Sequence, residues 1–250
     1  MAAQTKTNKS MRSLSRLSYA LYAGLLFVAV GLTALAGLLV TPGLARRRRL
    51  ARACSGALLR LLGMPLSVSG LELLPGGQCI LVSNHVSYLD GIVFTAALPP
   101  RFGFVIKREM ASVPLAATVL RRIGSEFVER FKPGRSVADA RRVLRTAASG
   151  RSLVFFPEGT FSEGPGLLKF HAGAFITAVR AGCPVVPAVI RGTRTALGPT
   201  DFLPRPCALS VELLPAVTAE PGAADAAESL RERARMAIQR ALREPDRAAA

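Results

Sequence analysis

The sequence predicts an α/β fold: a mixed central sheet flanked by helices, with a membrane-associated helical hairpin at the N-terminus. Three observations predict it. Short apolar runs rich in Val and Ile, at 79–82, 103–106, 152–156 and 185–190, alternate with segments of helical spacing, as strands joined by crossover helices do. Residues 19–40 carry no charge and lead into Thr41-Pro42-Gly43, which stops a helix and turns the chain back. The 250 residues, 50% of them apolar, suffice for one α/β domain with appendages and a sizeable core.

Taken in order, residues 1–18 hold Lys6, Lys9, Arg12 and Arg16 and no acid, and read as a disordered basic arm. Residues 19–40 approach the roughly 20 needed to cross a bilayer. A cleaved signal has an apolar region of about 7–15 residues, and here the run is longer and meets Arg46-Arg47-Arg48-Arg49 instead of a small-residue cleavage site. Positive charge on both sides of the run leaves the topology open between a spanning helix and a single-leaflet insertion, and a hairpin that enters one leaflet and returns is one resolution. Residues 46–62 set Leu50, Ala53, Ala57, Leu58, Leu61 and Leu62 against Arg48, Arg49, Arg52 and Arg60. This reads as a basic amphipathic helix in the membrane interface, the other reading being a helix packed on the domain core. The hairpin unit thus covers 19–64, the α/β domain 65–218, and a C-terminal amphipathic helix with an alanine-rich tail 219–250.

Within the domain, 66–73 alternates as an edge strand, Pro75-Gly76-Gly77 turns, and 79–82 is a buried strand. A short buried helix at 91–98 ends at Pro99-Pro100, and the strand 103–106 ends at Lys107. Residues 112–123 form a helix with Pro114 in its first turn and Gly124 closing it. The short strand 125–128 then leads to Arg130. Ser136 and Asp139 resemble a capping box opening a helix at 137–149. The strand 152–156, a helix at 169–181 carrying His171, the strand 185–190 and a last strand at 208–214 complete the domain.

Composition narrows the partners. A net charge of +17 calls for an anionic partner, whether nucleic acid, an acidic carrier protein or an anionic membrane surface, and the first acid is Glu72, so the basic N-terminal segment faces anionic lipid without self-cancellation. Tryptophan is absent and the other aromatics are scattered, which argues against a base-stacking platform and a nucleic-acid partner. The four cysteines, Cys54, Cys79, Cys183 and Cys207, show no CxxC spacing and read as reduced and buried. With His85 and His171 the only histidines, no metal site is expected.

The chemistry gathers where the strand 79–82 delivers Asn84-His85-Val86-Ser87-Tyr88-Leu89-Asp90. Residues five apart do not share a helix face, so His85 and Asp90 meet only if a turn carrying His85 runs into a helix starting near Asp90. A carboxylate on one imidazole nitrogen leaves the other basic, the arrangement that removes a proton from an alcohol. Further on, Phe156-Pro157-Glu158-Gly159-Thr160 sets a glycine loop at a strand end, able to offer amides to an oxyanion or phosphate, with Glu158 available to order acceptor hydroxyls. Arg130 offers the planar fork suited to a phosphate monoester. No G-x-S-x-G elbow occurs and no cysteine lies near His85 in sequence, so covalent catalysis lacks an obvious nucleophile.

In order, the blocks His85 to Asp90 (H-x4-D), Gly124 to Arg130 (G-x-x-F-x-x-R), Phe156 to Thr160 (F-P-E-G-T) and the apolar V-x-P strand through Pro187 resemble the signature of the glycerolipid acyltransferases. That resemblance implies a membrane-bound enzyme of phospholipid biosynthesis, with His85 as general base and Asp90 as its support. It implies an acceptor site drawn from Gly124, Arg130, Glu158, Gly159 and Thr160, with Lys107 either at the phosphate or solvated. Acyl-CoA or acyl-carrier protein would be the co-substrate, with no cofactor, and lysophosphatidic acid the acceptor, at the cytoplasmic face of the cell inner membrane. One departure stands out. Where the family often continues with arginine, this chain has Phe161, which keeps a lyso-ornithine lipid acceptor open, with Arg191 or Arg194 as possible substitutes. From a different class, a non-catalytic basic membrane-binding protein is disfavoured by the intact His85 and Asp90.

Overall fold

The computed structural model describes residues 2–129, 133–161, 164–201, 203–220 and 222–247, with the backbone alone at 2–15 and 133–135. Seven strands, β1 (Leu66–Ser69), β2 (Ile80–Ser83), β3 (Phe102–Lys107), β4 (Glu126–Val128), β5 (Ser152–Phe155), β6 (Val185–Arg191) and β7 (Leu209–Leu213), form one sheet in the order β1-β7-β6-β2-β5-β3-β4. Neighbours are parallel except β6 and β7, so β1 and β7 oppose the other five strands and the sheet is mixed. β2 is buried at every position because both its faces are covered. Leu81 enters one core and Ile80 and Val82 the other, the period of two expected of a strand.

One core lies under α1 (Ala2–Val40), α2 (Leu44–Leu61) and α3 (Asp90–Ala97), the other under α5 (Pro133–Ala148), α6 (Gly173–Ala181) and α8 (Ala226–Leu242). α4 (Pro114–Arg122) leads into edge strand β4, and α7 (Thr193–Ala196) follows β6. The hairpin is present: α1 and α2 are joined at Thr41-Pro42-Gly43, with Gly43 at φ 76. Gly37 lets the two helices approach, since a Cβ there would stand 2.7 Å from Leu50 Cδ2. At the far end, the Tyr19 and Tyr22 hydroxyls donate to the carbonyls of Leu62 and Leu61 at 2.8 and 2.9 Å.

Several expectations need correction. The basic arm is helical from Ala2, continuous with the apolar part of α1. α2 is packed on the domain: Leu58, Leu59 and Leu62 are buried in the core that contains Phe94, while Leu61 remains exposed. Its Arg48 is 7% exposed, donating from Nε to Ile123 O at 2.8 Å and from Nη1 to Arg101 O at 2.6 Å, while Arg52 Nε donates to Ala96 O at 3.1 Å. Burial, with the Arg151 charge adding to it, lowers Arg48 to about 10. The arginine run thus includes a cation that ties the hairpin to the carbonyls at the end of α4 and directly ahead of β3. The first strand stops at Ser69, and Leu71–Leu73 form a 3₁₀ turn. α5 starts at Pro133, so Ser136 lies inside it and no capping box forms; the Asp139 carboxylate instead takes Glu129 N at 2.8 Å together with Arg108 and Arg142. α6 begins at Gly173, leaving His171 exposed ahead of it. Of the four free cysteines only Cys79 is buried.

Candidate active site

The parallel strands β2 to β6 end at one edge of the sheet, and β2 delivers the His85 turn there. Asn84 continues the ladder past the end of β2: its Nδ2 donates to Ile190 O at 3.0 Å and its Oδ1 accepts from Ile190 N at 2.9 Å. An asparagine side chain carries the same donor and acceptor as a peptide, so it extends the pairing while the backbone turns away. Ser87 fastens the next corner, its Oγ donating to Leu197 O at 2.5 Å and accepting from Leu89 N at 3.1 Å.

α3 begins at Asp90, and the turn ahead of it folds back over the carboxylate. Asp90 Oδ2 accepts from Val86 N at 2.8 Å and Ser87 N at 3.0 Å, and lies 2.8 Å from His85 Nδ1. Asp90 is fully buried and the His85 side chain is 21% exposed. A buried carboxylate on Nδ1 fixes the tautomer with Nε2 unprotonated. Among the described residues nothing hydrogen-bonds to Nε2. Phe156 stacks on the imidazole, with centroids 4.3 Å apart and planes 19° apart. Phe161 stands perpendicular to it at 4.8 Å, itself 4.9 Å from Tyr88, which is 59% exposed. The imidazole therefore sits behind an aromatic lip.

Glu158 has a different task from the one its position in the loop suggested. Its Oε1 accepts from His85 N at 2.7 Å and its Oε2 from Leu168 N at 2.8 Å, so both oxygens are engaged by backbone. It is a staple between the histidine turn and the loop after β5. Burial pushes its pKa up to about 7, against the pull of the Leu168 and His85 amides and the Arg194 charge. Gly159, at φ 74, closes the turn by donating its amide to Phe156 O at 3.0 Å, and so does not offer that amide to an oxyanion. Thr160 is exposed on the same loop, and Lys107 is exposed at the end of β3 on the same edge.

Two candidates fall elsewhere. Arg130 lies outside the described residues, as do Ser162 and Glu163. Gly124 is at the opposite edge of the sheet: register aligns it with Gly103, Leu153 and Ile80, about five residues short of His85, or roughly 16 Å of strand. Its φ of 75 ends α4, and a Cβ on it would stand 3.2 Å from Arg48 Nη2, so its role is to make room for that guanidinium. Neither Arg191 nor Arg194 points to a phosphate site. Arg191 pairs with Glu212 at 2.9 Å and donates to Ala241 O, and Arg194 donates to Gly164 O and pairs with Glu244. Asn84 and Phe156 escaped the sequence reading as site residues, although an Asn directly after a strand end was a usable signal for the first.

Residues 65–191 match the acyltransferase family. A chloroplastic 1-acyl-sn-glycerol-3-phosphate acyltransferase of Brassica napus is 35% identical over 50% of this chain and 37% of its own length. A lyso-ornithine lipid O-acyltransferase of Pseudomonas aeruginosa is 34% identical over 67% of this chain and 64% of its own. The chain spans little more than a third of the chloroplastic relatives it matches. The crystal structure of the 1-acyl-sn-glycerophosphate acyltransferase PlsC of Thermotoga maritima shares the fold, with a TM-score of 0.76 over 94% of this chain and 96% of that one at 21% identity.

Proposed function

The chain belongs to the acyltransferase family, and from that premise we propose that it moves a fatty acyl group from acyl-CoA or acyl-carrier protein to the free hydroxyl of a lysophospholipid, with lysophosphatidic acid giving phosphatidic acid as the leading reaction. The observation that carries this reading is the contact between His85 Nδ1 and the buried Asp90 at 2.8 Å, which leaves Nε2 as a base at an open edge of the sheet. In the reaction, Nε2 takes the hydroxyl proton as the oxygen attacks the thioester carbonyl. The tetrahedral intermediate collapses to the ester, and the departing thiolate receives the proton from the imidazolium. Asp90 supports the imidazolium in between. A thioester is already activated, so positioning and one proton transfer suffice without an acyl-enzyme.

Membrane attachment follows from α1. Leu17, Leu21, Leu25, Val28, Leu32 and Leu39 are exposed at helical spacing, whereas Tyr19, Ala23, Leu26 and Val30 pack on the domain. A helix docked on its domain along one side and apolar on the other suits immersion in a single leaflet, with the exposed Arg46, Arg49 and Arg60 of α2 available to anionic headgroups at the cytoplasmic face of the inner membrane. A second acceptor, a lyso-ornithine lipid, is favoured by one observation: Phe161 covers the imidazole where a cation for a second phosphate contact would otherwise stand. The test is purified protein with labelled acyl-CoA and a panel of lysolipids, the products read by mass spectrometry. His85→Ala should lower turnover by roughly 100- to 10,000-fold with the fold intact. Normal turnover by that variant would remove His85 as the base.

A further inference from the structure

The last described residues return to the active-site loop. Arg243, at φ 58, ends α8 and turns the chain back. Leu167 N donates to Pro245 O and Arg247 N to Leu167 O, both at 3.0 Å, forming a parallel bridge between Leu167 and Asp246. Glu244 Oε2 accepts from Gly166 N at 2.7 Å and pairs with Arg194 Nη2 at 3.3 Å, while Arg194 also donates to Gly164 O. Arg235 of α8, 8% exposed, donates from Nη1 to Asp246 Oδ2 at 3.0 Å and from Nη2 to Leu167 O at 3.3 Å. Gly166 permits the approach, because at its φ of 128 a Cβ would stand 2.9 Å from Pro245 O. Two residues further on, Leu168 N reaches Glu158, whose other oxygen holds His85 N.

We propose that this C-terminal strap, Glu244 to Arg247, is a positioning element for His85, acting through the loop 164–168 and the Glu158 staple. The strap touches neither His85 nor Asp90. What it supplies is order: the segment it grips carries Gly164, Pro165 and Gly166, and a chain with two glycines loses much conformational entropy when it is held in one conformation. Without the strap, the amide at Leu168 loses its fixed place, Glu158 is left with one partner, and the turn that aims the imidazole loosens.

The inference rests on His85 being the base, so its test has a readout independent of turnover. Glu244→Ala and a chain ended after Arg243 are compared with the full chain by hydrogen exchange read by mass spectrometry and by steady-state kinetics. The strap predicts faster exchange at 164–168 and at 84–87 and little change across β6 and α8. It also predicts a kcat lowered by roughly 10- to 100-fold, the scale on which a misplacement of about 1 Å acts. Glu244→Gln, which keeps an acceptor for Gly166 N, should recover most of the loss. Unchanged exchange at 84–87 in Glu244→Ala would overturn the inference, and so would faster exchange spread evenly over the sheet. A full chain that acylates no lysolipid would refute the functional reading, while the exchange result would still judge the strap.

Discussion

Glu158 allows a test in which stability and activity respond to pH in opposite directions. Its carboxyl is 5% exposed, and burial raises its pKa from 4.5 to about 7, the Asp90 charge adding to the rise. Between those two values the folded chain holds a proton that the unfolded chain has released, so acid favours folding. The contribution is fully present below 4.5 and is lost as pH rises through about 7. Linkage for that shift gives about 2.5 kcal/mol between about pH 8 and about pH 5. Glu158→Gln abolishes the titration, so guanidinium unfolding in detergent, followed by ellipticity at both pH values, should show wild type gaining that amount over the variant in acid. Activity should move the other way. A protonated carboxyl presents a donor to an amide that is also a donor, so kcat of the wild type should fall on the acid side of about 7, whereas Glu158→Gln, with its amide nitrogen facing the same backbone donor, should already be impaired at pH 8. Parallel pH slopes of stability in the two proteins would refute the buried staple.

Two further outcomes follow from the lip and the hairpin. Phe161→Arg should shift acceptor preference toward lysophosphatidic acid over a lyso-aminolipid by roughly tenfold or more, since a hydrogen bond to a charged group contributes about 1.5–3 kcal/mol. An unchanged ratio of initial rates on the two acceptors would show that position 161 does not meet the headgroup. Leu21→Asp with Leu25→Asp replaces two side chains that are each 65% exposed and outside the core, so unfolding should be unaffected. Flotation with anionic vesicles should weaken by at least about tenfold, on the basis of roughly 1 kcal/mol or more for each half-buried leucine, and undiminished flotation would move the membrane contact off this stripe.

The strands were legible because β-branched runs bounded by Gly and Pro have few alternatives, and the His85–Asp90 contact because a five-residue spacing admits only a turn into a helix. What local pattern could not show was partnership across the chain. Arg48 stands in a run of four arginines and reads like its neighbours; it differs because Ile123 and Arg101, far away in sequence, present carbonyls to it. The same applies to Asp139: a carboxylate three residues after a serine looks like half of a capping box until Arg108 and the Glu129 amide arrive to occupy it. Gly124 was misassigned for a related reason, since membership in a motif block says nothing about which edge of the sheet a residue occupies, and register does.

Glu158 shows how far this matters for chemistry. From its loop it could be a ligand or a brace, and both require a carboxylate after proline and before glycine. The two amides at 2.7 and 2.8 Å show the brace. The consequence is positional: the third block holds the first block still. An imidazole steadied by two carboxylates, Asp90 on its ring and Glu158 on its backbone, depends on the loop that connects the second to the strap, which is why the proposed role of residues 244–247 is one of positioning.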